Sequence, residues 1–142
     1  MRILIDTNVL LNYFQHRDGF FASEKILQAC AENSISGFVA AHSFPNMFYI
    51  LRKFYSEEER REILASIISL LPVVGLGQHL IASALARKDF HDFEDCLQDE
   101  CAAEIGADYI VTSNIKDFEQ SKIKAISPDD FVQKLFKQTE TF

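Results

Sequence analysis

Met1-Arg2-Ile3-Leu4-Ile5-Asp6-Thr7-Asn8 opens the chain. Three consecutive aliphatic residues end abruptly in polar ones, which predicts a short buried strand over Arg2 to Ile5. Asp6 falls at the carboxyl tip of that strand. Thr7 and Asn8 hand over to a helix whose apolar residues, Val9, Leu10, Leu11, Tyr13 and Phe14, follow at once. In open α/β sheets the ligand crevice lies outside the carboxyl ends of the strands. Asp6 therefore has two readings at this point. It is a helix N-cap, a position that favours Asp, or it is a carboxylate delivered to a site. The choice turns on whether other carboxylates gather at the same edge.

Downstream, helical and strand patterns alternate. A helix is predicted over residues 20–33, with Ser23 as its cap, and then a strand from Ser36 to Ala41. Ser43 reads as the cap of a strongly apolar helix, Phe44 to Tyr55. Ser56 and Glu59 have capping-box spacing and open a helix to about Leu71. Pro72-Val73-Val74 reads as an edge strand because of its proline. Helices follow over Gly77 to Lys88 and Phe93 to Ile105, the second closed by Gly106. Tyr109 to Thr112 and Lys124 to Ile126 are the remaining strands. Ser127-Pro128-Asp129-Asp130 starts a last helix through about Gln138. This order describes a single α/β domain over residues 1–142, with a parallel sheet covered on both faces.

Bulk properties narrow the function. The 142 residues carry a net charge of −7 with a pI near 5.0. A grip on nucleic acid by basic surface alone is thereby disfavoured, but bound cations can neutralise an acidic site. The cysteines, Cys30, Cys96 and Cys101, lack metal-ligand spacing and read as small core residues of a reducing, cytoplasmic compartment. Neither a signal peptide nor a membrane span is expected. His16, His42, His79 and His91 are too scattered for a zinc site. There is no Gly-x-Ser-x-Gly elbow and no phosphate-cradling glycine loop.

The carboxylates can be placed on this sheet. Asp92 is a natural N-cap, and Asp95 and Asp99, four apart, share one helix face. A helix feeding a parallel strand runs antiparallel to it, so its amino end sits at the carboxyl edge beside Asp6. The strand ending at Thr112 continues as Ser113-Asn114-Ile115-Lys116-Asp117, bringing Asn114 and Asp117 to that edge. Ser43 and Asn46 reach it from the helix after the second strand. Clustered carboxylates raise one another's pKa unless a cation sits among them. Hard oxygen ligands suit Mg²⁺ or Mn²⁺, which generate hydroxide near neutral pH and offset charge on a phosphoryl group. Glu94, beside Asp95 in sequence, reads as a first-turn charge pointing elsewhere. Thr7 and Asn8 read as supports of the loop around Asp6. The basic residues that could hold RNA are Arg52, Lys53, Arg60, Arg61, Arg87, Lys88 and Lys116, of which Lys116 is best placed.

The segments Ile5-Asp6-Thr7-Asn8-Val9-Leu10-Leu11, Asp92-Phe93-Glu94-Asp95 and Ile110-Val111-Thr112-Ser113-Asn114-Ile115-Lys116-Asp117-Phe118 occur in an order and at a spacing that resemble a PIN-domain protein. The resemblance is to the toxin half of bacterial VapC-type toxin–antitoxin pairs, and it spans nearly the whole chain. It implies a three-layer α/β/α fold with a central parallel sheet of about five strands. It also implies a metal-dependent endoribonuclease. Carried over residue by residue, Asp6 matches the family's first acid and Asp95 its third. The fourth acidic position falls on Asn114, with Asp117 three residues on as its substitute, and the usual glutamate falls on Asn46. The expected catalytic set is thus Asp6, Asp95, Asp117, Asn46 and Asn114, with Mg²⁺ or Mn²⁺ on Asp6, Asp95 and Asp99. Thr7, Asn8, Ser43, Lys116 and Asp92 contact substrate or support it. The expected partners are an RNA substrate, an antitoxin segment and a second copy of the chain, the latter two drawn to the surplus of apolar residues over Phe44 to Phe54. The alternative is a PIN fold with weakened catalysis, acting as an RNA- or protein-binding module, since two of the four usual charges are absent.

Overall fold

The computed structural model describes residues 1–140, with side chains through residue 137. β1 (Arg2–Ile5) is the middle strand of a five-stranded sheet. It pairs in parallel with β2 (Ser36–Ala40) on one side and with β4 (Tyr109–Val111) on the other. β3 (Val73–Val74) and β5 (Ala125–Ile126) form the edges, also in parallel, giving the order β3-β2-β1-β4-β5. The chain thus builds outward from β1 on one side and then returns to build on the other. The gap between β1 and β4 is where the order switches, the place at which open α/β sheets bind ligands.

Ile3, Leu4 and Ile5 are all fully buried. Successive side chains of a strand point to opposite faces, so complete burial of all three requires a helical layer on each side. Ile3 and Ile5 belong to one apolar core, with Val9, Leu10, Ile26, Met47, Ile67 and Phe131. Those residues come from α1 (Thr7–Phe14), α2 (Phe20–Ala31), α3 (Ser43–Ile50), α4 (Glu57–Leu70) and α7 (Pro128–Glu140). Leu4 belongs to the opposite core, with Leu80 of α5 (Gln78–Ala86) and Cys101 of α6 (Phe93–Glu104). The architecture is the expected α/β/α sandwich. Among the described residues no helix is long and apolar enough to cross a membrane. The three cysteines are unpaired and buried.

Local signals held in several places. Ser56 and Glu59 form a reciprocal capping box at the start of α4. Asp92 caps α6 by accepting from Glu94 N at 2.8 Å and Asp95 N at 3.2 Å. Gly106 follows the end of α6 at φ +62°, a left-handed conformation that glycine adopts at little cost. Elsewhere the structure corrects the reading. Ser23 is not a cap: α2 starts earlier, after Gly19 at φ +94°, and Ser23 is buried inside it. Ser43 is not a cap either. It is the first residue of α3, and its hydroxyl is engaged by side chains from other elements. α3 stops at Ile50 and tightens into a single 3₁₀ turn, Leu51–Lys53, rather than running to Tyr55. The surplus apolar surface there is partly covered by the chain itself. The Arg52 guanidinium lies 3.6 Å from the Tyr49 ring centroid and that of Arg60 lies 4.1 Å from Phe48. Tyr49 and Phe54 still expose 61% and 67% of their surface.

Side chains crowd closely over Gly37 of β2. A Cβ there would lie 2.5 Å from Cys30 Sγ and 3.1 Å from Leu71 Cδ2. Gly37→Ala should therefore lower unfolding stability by about 1–3 kcal/mol through overpacking. Urea denaturation measures this, and the double variant Gly37→Ala with Cys30→Ala should recover part of the loss.

Candidate functional site

Asp6 emerges from β1 at its carboxyl end and is buried, with 5% of its surface exposed. A buried carboxylate needs donors, and three surround it. Thr7 N donates to Oδ1 at 2.8 Å; Asn8 Nδ2 and Thr112 Oγ1 donate to Oδ2 at 3.0 and 2.8 Å. Each donor is itself tied down. Thr7 Oγ1 donates to Ser43 Oγ at 2.9 Å, Asn8 Oδ1 accepts from Ser113 N at 3.1 Å, and Thr112 Oγ1 accepts from Asn114 N at 3.0 Å. The two readings of Asp6 merge, since it starts α1 and also faces a pocket. Thr7, Asn8 and Ser43 form its support.

The pocket has a volume of about 300 Å³ at the carboxyl edge of the sheet. Asp6, Asn46, Asp92, Asp95, Asn114 and Asp117 all line it. These residues come from β1, the first turn of α3, the amino end of α6 and the 3₁₀ turn Ile115–Phe118 that follows β4. A second concavity of about 350 Å³ adjoins it, sharing Asp92, Asp95 and Asp117 and adding Lys116. The predicted carboxylates therefore converge. Burial pushes Asp95 up to about 7, and the charges of Asp6, Asp92, Asp117 and Glu94 add to the rise. Burial also raises Asp6 above the ordinary carboxylate range. Hydrogen bonds from Thr112, Thr7 and Asn8 oppose that rise, and the charge of Asp117 adds to it.

Asp99 does not join them. One turn further along α6 than Asp95, it is fully buried and faces away from the pocket into a polar clamp. Arg87 Nη1 donates to its Oδ2 at 2.6 Å, Lys122 N to the same oxygen at 2.9 Å, and Ile123 N to Oδ1 at 3.1 Å. Its charge is thus already matched by a guanidinium and two backbone donors, and it has no capacity left for a cation at the pocket. Arg87 also donates to Glu100 at 3.2 Å and to the carbonyl of Gln120 at 3.2 Å, so it is removed from the list of RNA-holding residues. Arg61 pairs with Glu57 in the same helix.

Four polar residues that sequence reasoning missed also belong to the pocket: Arg17, His42, Glu94 and Gln98. Arg17 places a cation at the pocket wall. Glu94 Oε2 accepts from Asn46 Nδ2 at 3.2 Å, so it does not point elsewhere. Gln98 lies three residues after Asp95, a spacing that puts both on one helix face and could have flagged it. Its Nε2 donates to Ser43 Oγ at 3.0 Å. Its Oε1 is buried and has no hydrogen-bond partner among the described residues, and the same is true of His42 Nδ1. An orphaned buried acceptor costs about 1–3 kcal/mol. No three His, Cys, Asp or Glu side chains among the described residues are gathered as a ready-made ligand cage. Mg²⁺ keeps several waters and takes only one or two carboxylates. A donor set of crowded carboxylates, amide oxygens and an unsatisfied acceptor fits such an ion, and Asp6 and Asp95 are the residues that would hold it.

A PIN-domain family profile matches residues 2–116. No protein of curated function matches the sequence. Solved structures with the same fold include VapBC2 from Rickettsia felis bound to a DNA fragment from its promoter. It has 19% identity and a TM-score of 0.66, covering 89% of this chain and 98% of that one. A toxin–antitoxin complex from Klebsiella pneumoniae has 20% identity and a TM-score of 0.68, covering 89% and 97%. VapC20 from Mycobacterium tuberculosis, a sarcin-ricin loop cleaving toxin, has 16% identity and a TM-score of 0.59, covering 76% and 86%.

The raised Asp95 gives a pH dependence. Its folded-state pKa lies above the ordinary aspartate value of 3.8, so folding retains a proton that the unfolded chain loses. The resulting stability is complete below pH ~4 and is lost as pH rises through ~7. Metal-free protein should melt at a lower temperature near pH ~8 than near pH ~5.5. Asp95→Asn should shrink that difference, as read by thermal melting in EDTA.

With β1 at the centre of a five-stranded parallel sheet, acids converging on its carboxyl edge and a profile match over most of its length, this chain belongs to the PIN-domain family.

Proposed function

We propose that this chain is a divalent-cation-dependent endoribonuclease of the VapC toxin kind, hydrolysing RNA phosphodiester bonds and held in check by an antitoxin. The observation that carries this reading is the convergence of Asp6, Asp95 and Asp117, from three separate segments, on one pocket where their charges oppose one another. Such crowding is unfavourable in the metal-free protein and favourable once a cation is present.

In this proposal Asp6 and Asp95 hold Mg²⁺ or Mn²⁺. When bound, the ion would acidify an attacking water and offset the charge developing on the phosphoryl group. Asn46, Asn114 and Asp117 orient water around it, the two amides offering neutral oxygens where they add no charge. Thr7, Asn8, Ser43 and Asp92 fix the walls, as their hydrogen bonds suggest. Arg17 and Lys116 meet the phosphates that flank the scissile bond, so an acidic protein grips a polyanion only near its own cation. The Rickettsia and Klebsiella relatives in fold were solved as VapBC2 and as a toxin–antitoxin complex. By analogy an antitoxin is assigned as partner here. Exposed Tyr49 and Phe54 give either it or a second copy of the chain an apolar contact. An intracellular, cytoplasmic setting follows from an RNA substrate.

The test is cleavage of a pool of structured RNAs with Mg²⁺, with Mn²⁺ and with EDTA. Cleavage should need the ion, and Asp6→Asn or Asp95→Asn should reduce it at least about a hundredfold, the order expected when a cation's ligand is lost. Metal-independent cutting, or cutting unchanged in both variants, would overturn the mechanism. RNA retained on the protein without cleavage under every condition would instead favour a binding module, the reading to which amides at positions 46 and 114 lend support.

A further inference from the structure

α3 brings no carboxylate to the pocket; its polar contribution there is Asn46. That amide does not act alone, because Nδ2 donates to Glu94 Oε2 at 3.2 Å across 48 residues of sequence. The β2–α3 junction holds residue 94 a second time. His42 Nε2 lies 3.2 Å from the Glu94 carbonyl oxygen, in hydrogen-bonding contact. Consecutive helical side chains diverge by about 100°, so an acid beside Asp95 turns by default toward solvent, where it complements the helix dipole. Glu94 is exposed to solvent, yet it also lines the same pocket as Asp6, Asp95 and Asp117. A first-turn charge that served only the dipole would need no side-chain tether such as Asn46.

The pocket also carries an independent sign of a ligand. Gln98 exposes only 2% of its surface, lines the pocket and leaves its Oε1 without a donor among the described residues. The other acid at the mouth, Asp92, is engaged as the α6 cap through Oδ1. We infer that Glu94 supplies the fourth carboxylate facing the cation, and that Asn46 is the positioning residue that turns it inward. The charge that α3 lacks is delivered by α6 across the pocket. This inference rests on the cation-dependent reading above and deepens it.

The test is Mn²⁺ binding to the full-length, metal-free protein, followed by the loss of the free-ion electron paramagnetic resonance signal, with circular dichroism to confirm folding. Glu94→Gln should weaken Mn²⁺ binding about fivefold, the scale of one unit charge acting across a few ångströms of solvated pocket. Asn46→Ala should weaken it about twofold to threefold by letting Glu94 swing out. Asn46→Glu in the Glu94→Gln background should restore binding, because the charge returns from the opposite wall. Glu58→Gln, which removes an exposed first-turn acid of α4, should change nothing. If Glu94→Gln binds Mn²⁺ like the unaltered protein while Asp95→Asn does not, Glu94 is only a helix-start charge and the cation site stands. If the unaltered protein takes up no Mn²⁺, the cation-dependent reading falls and this inference with it.

Discussion

Burying the Asp6 carboxylate is the constraint from which the rim of this protein follows. A charge taken out of water at the tip of a central strand must be matched by donors. Here the donors come from the start of α1 and from β4, which runs alongside β1. Each donor then needs its own partner, so the network spreads. Through Thr7 it reaches Ser43 and thence Gln98 on α6; through Thr112 and Asn8 it organises the loop after β4. One buried acid thereby sets the relative positions of four segments that contribute to the pocket. The same hydrogen bonds that make Asp6 tolerable hold the other acids close enough to repel.

α6 divides its acids between two tasks. Asp95, at the amino end, faces the pocket and is left with crowded negative neighbours. Asp99, one turn deeper, is neutralised by Arg87 and by the backbone of Lys122 and Ile123. Burial would raise Glu100, yet hydrogen bonds from Lys122 and Arg87 bring it below the ordinary carboxylate range. This clamp secures the segment between β4 and β5, the same segment whose 3₁₀ turn presents Asp117 and buries Phe118 beneath it. Asp99 thus serves the site at a distance. Removing one partner of a buried ion pair of this kind costs about 3–5 kcal/mol, so Asp99 contributes to the fold although it meets no ligand.

The proposed RNA substrate has to be reconciled with a net charge of −7. Most of its arginines are spent on internal contacts. Arg87 is locked in the clamp, Arg60 donates to the Phe48 carbonyl and stacks on its ring, and Arg52 covers Tyr49. What remains beside the acidic pocket is Arg17 on one wall and Lys116 in the adjoining concavity. In the proposed function, attraction for a polyanion is therefore local and depends on the proposed cation.

Strand and helix order could be read from the residues alone, because burial on two faces forces an unbroken aliphatic run such as Ile3-Leu4-Ile5 and because caps such as Ser56, Asp92 and Gly106 act within a few residues of themselves. Parallel connectivity followed from that alternation, and with it the meeting of Asp6, Asp95 and Asp117 at one edge, since a helix feeding a parallel strand must begin where the strands end. What helical spacing could not tell apart was Asp95 from Asp99. They share a face, and only the fold shows that Arg87 lies opposite the second and open pocket opposite the first. Glu94 was misread for the converse reason. Its local position argues for solvent alone, whereas Asn46, which binds its carboxylate at the pocket, arrives from a part of the chain about fifty residues away. Periodicity is a property of neighbours along the backbone; the partner that satisfies a charge is chosen in three dimensions, where sequence distance carries no weight.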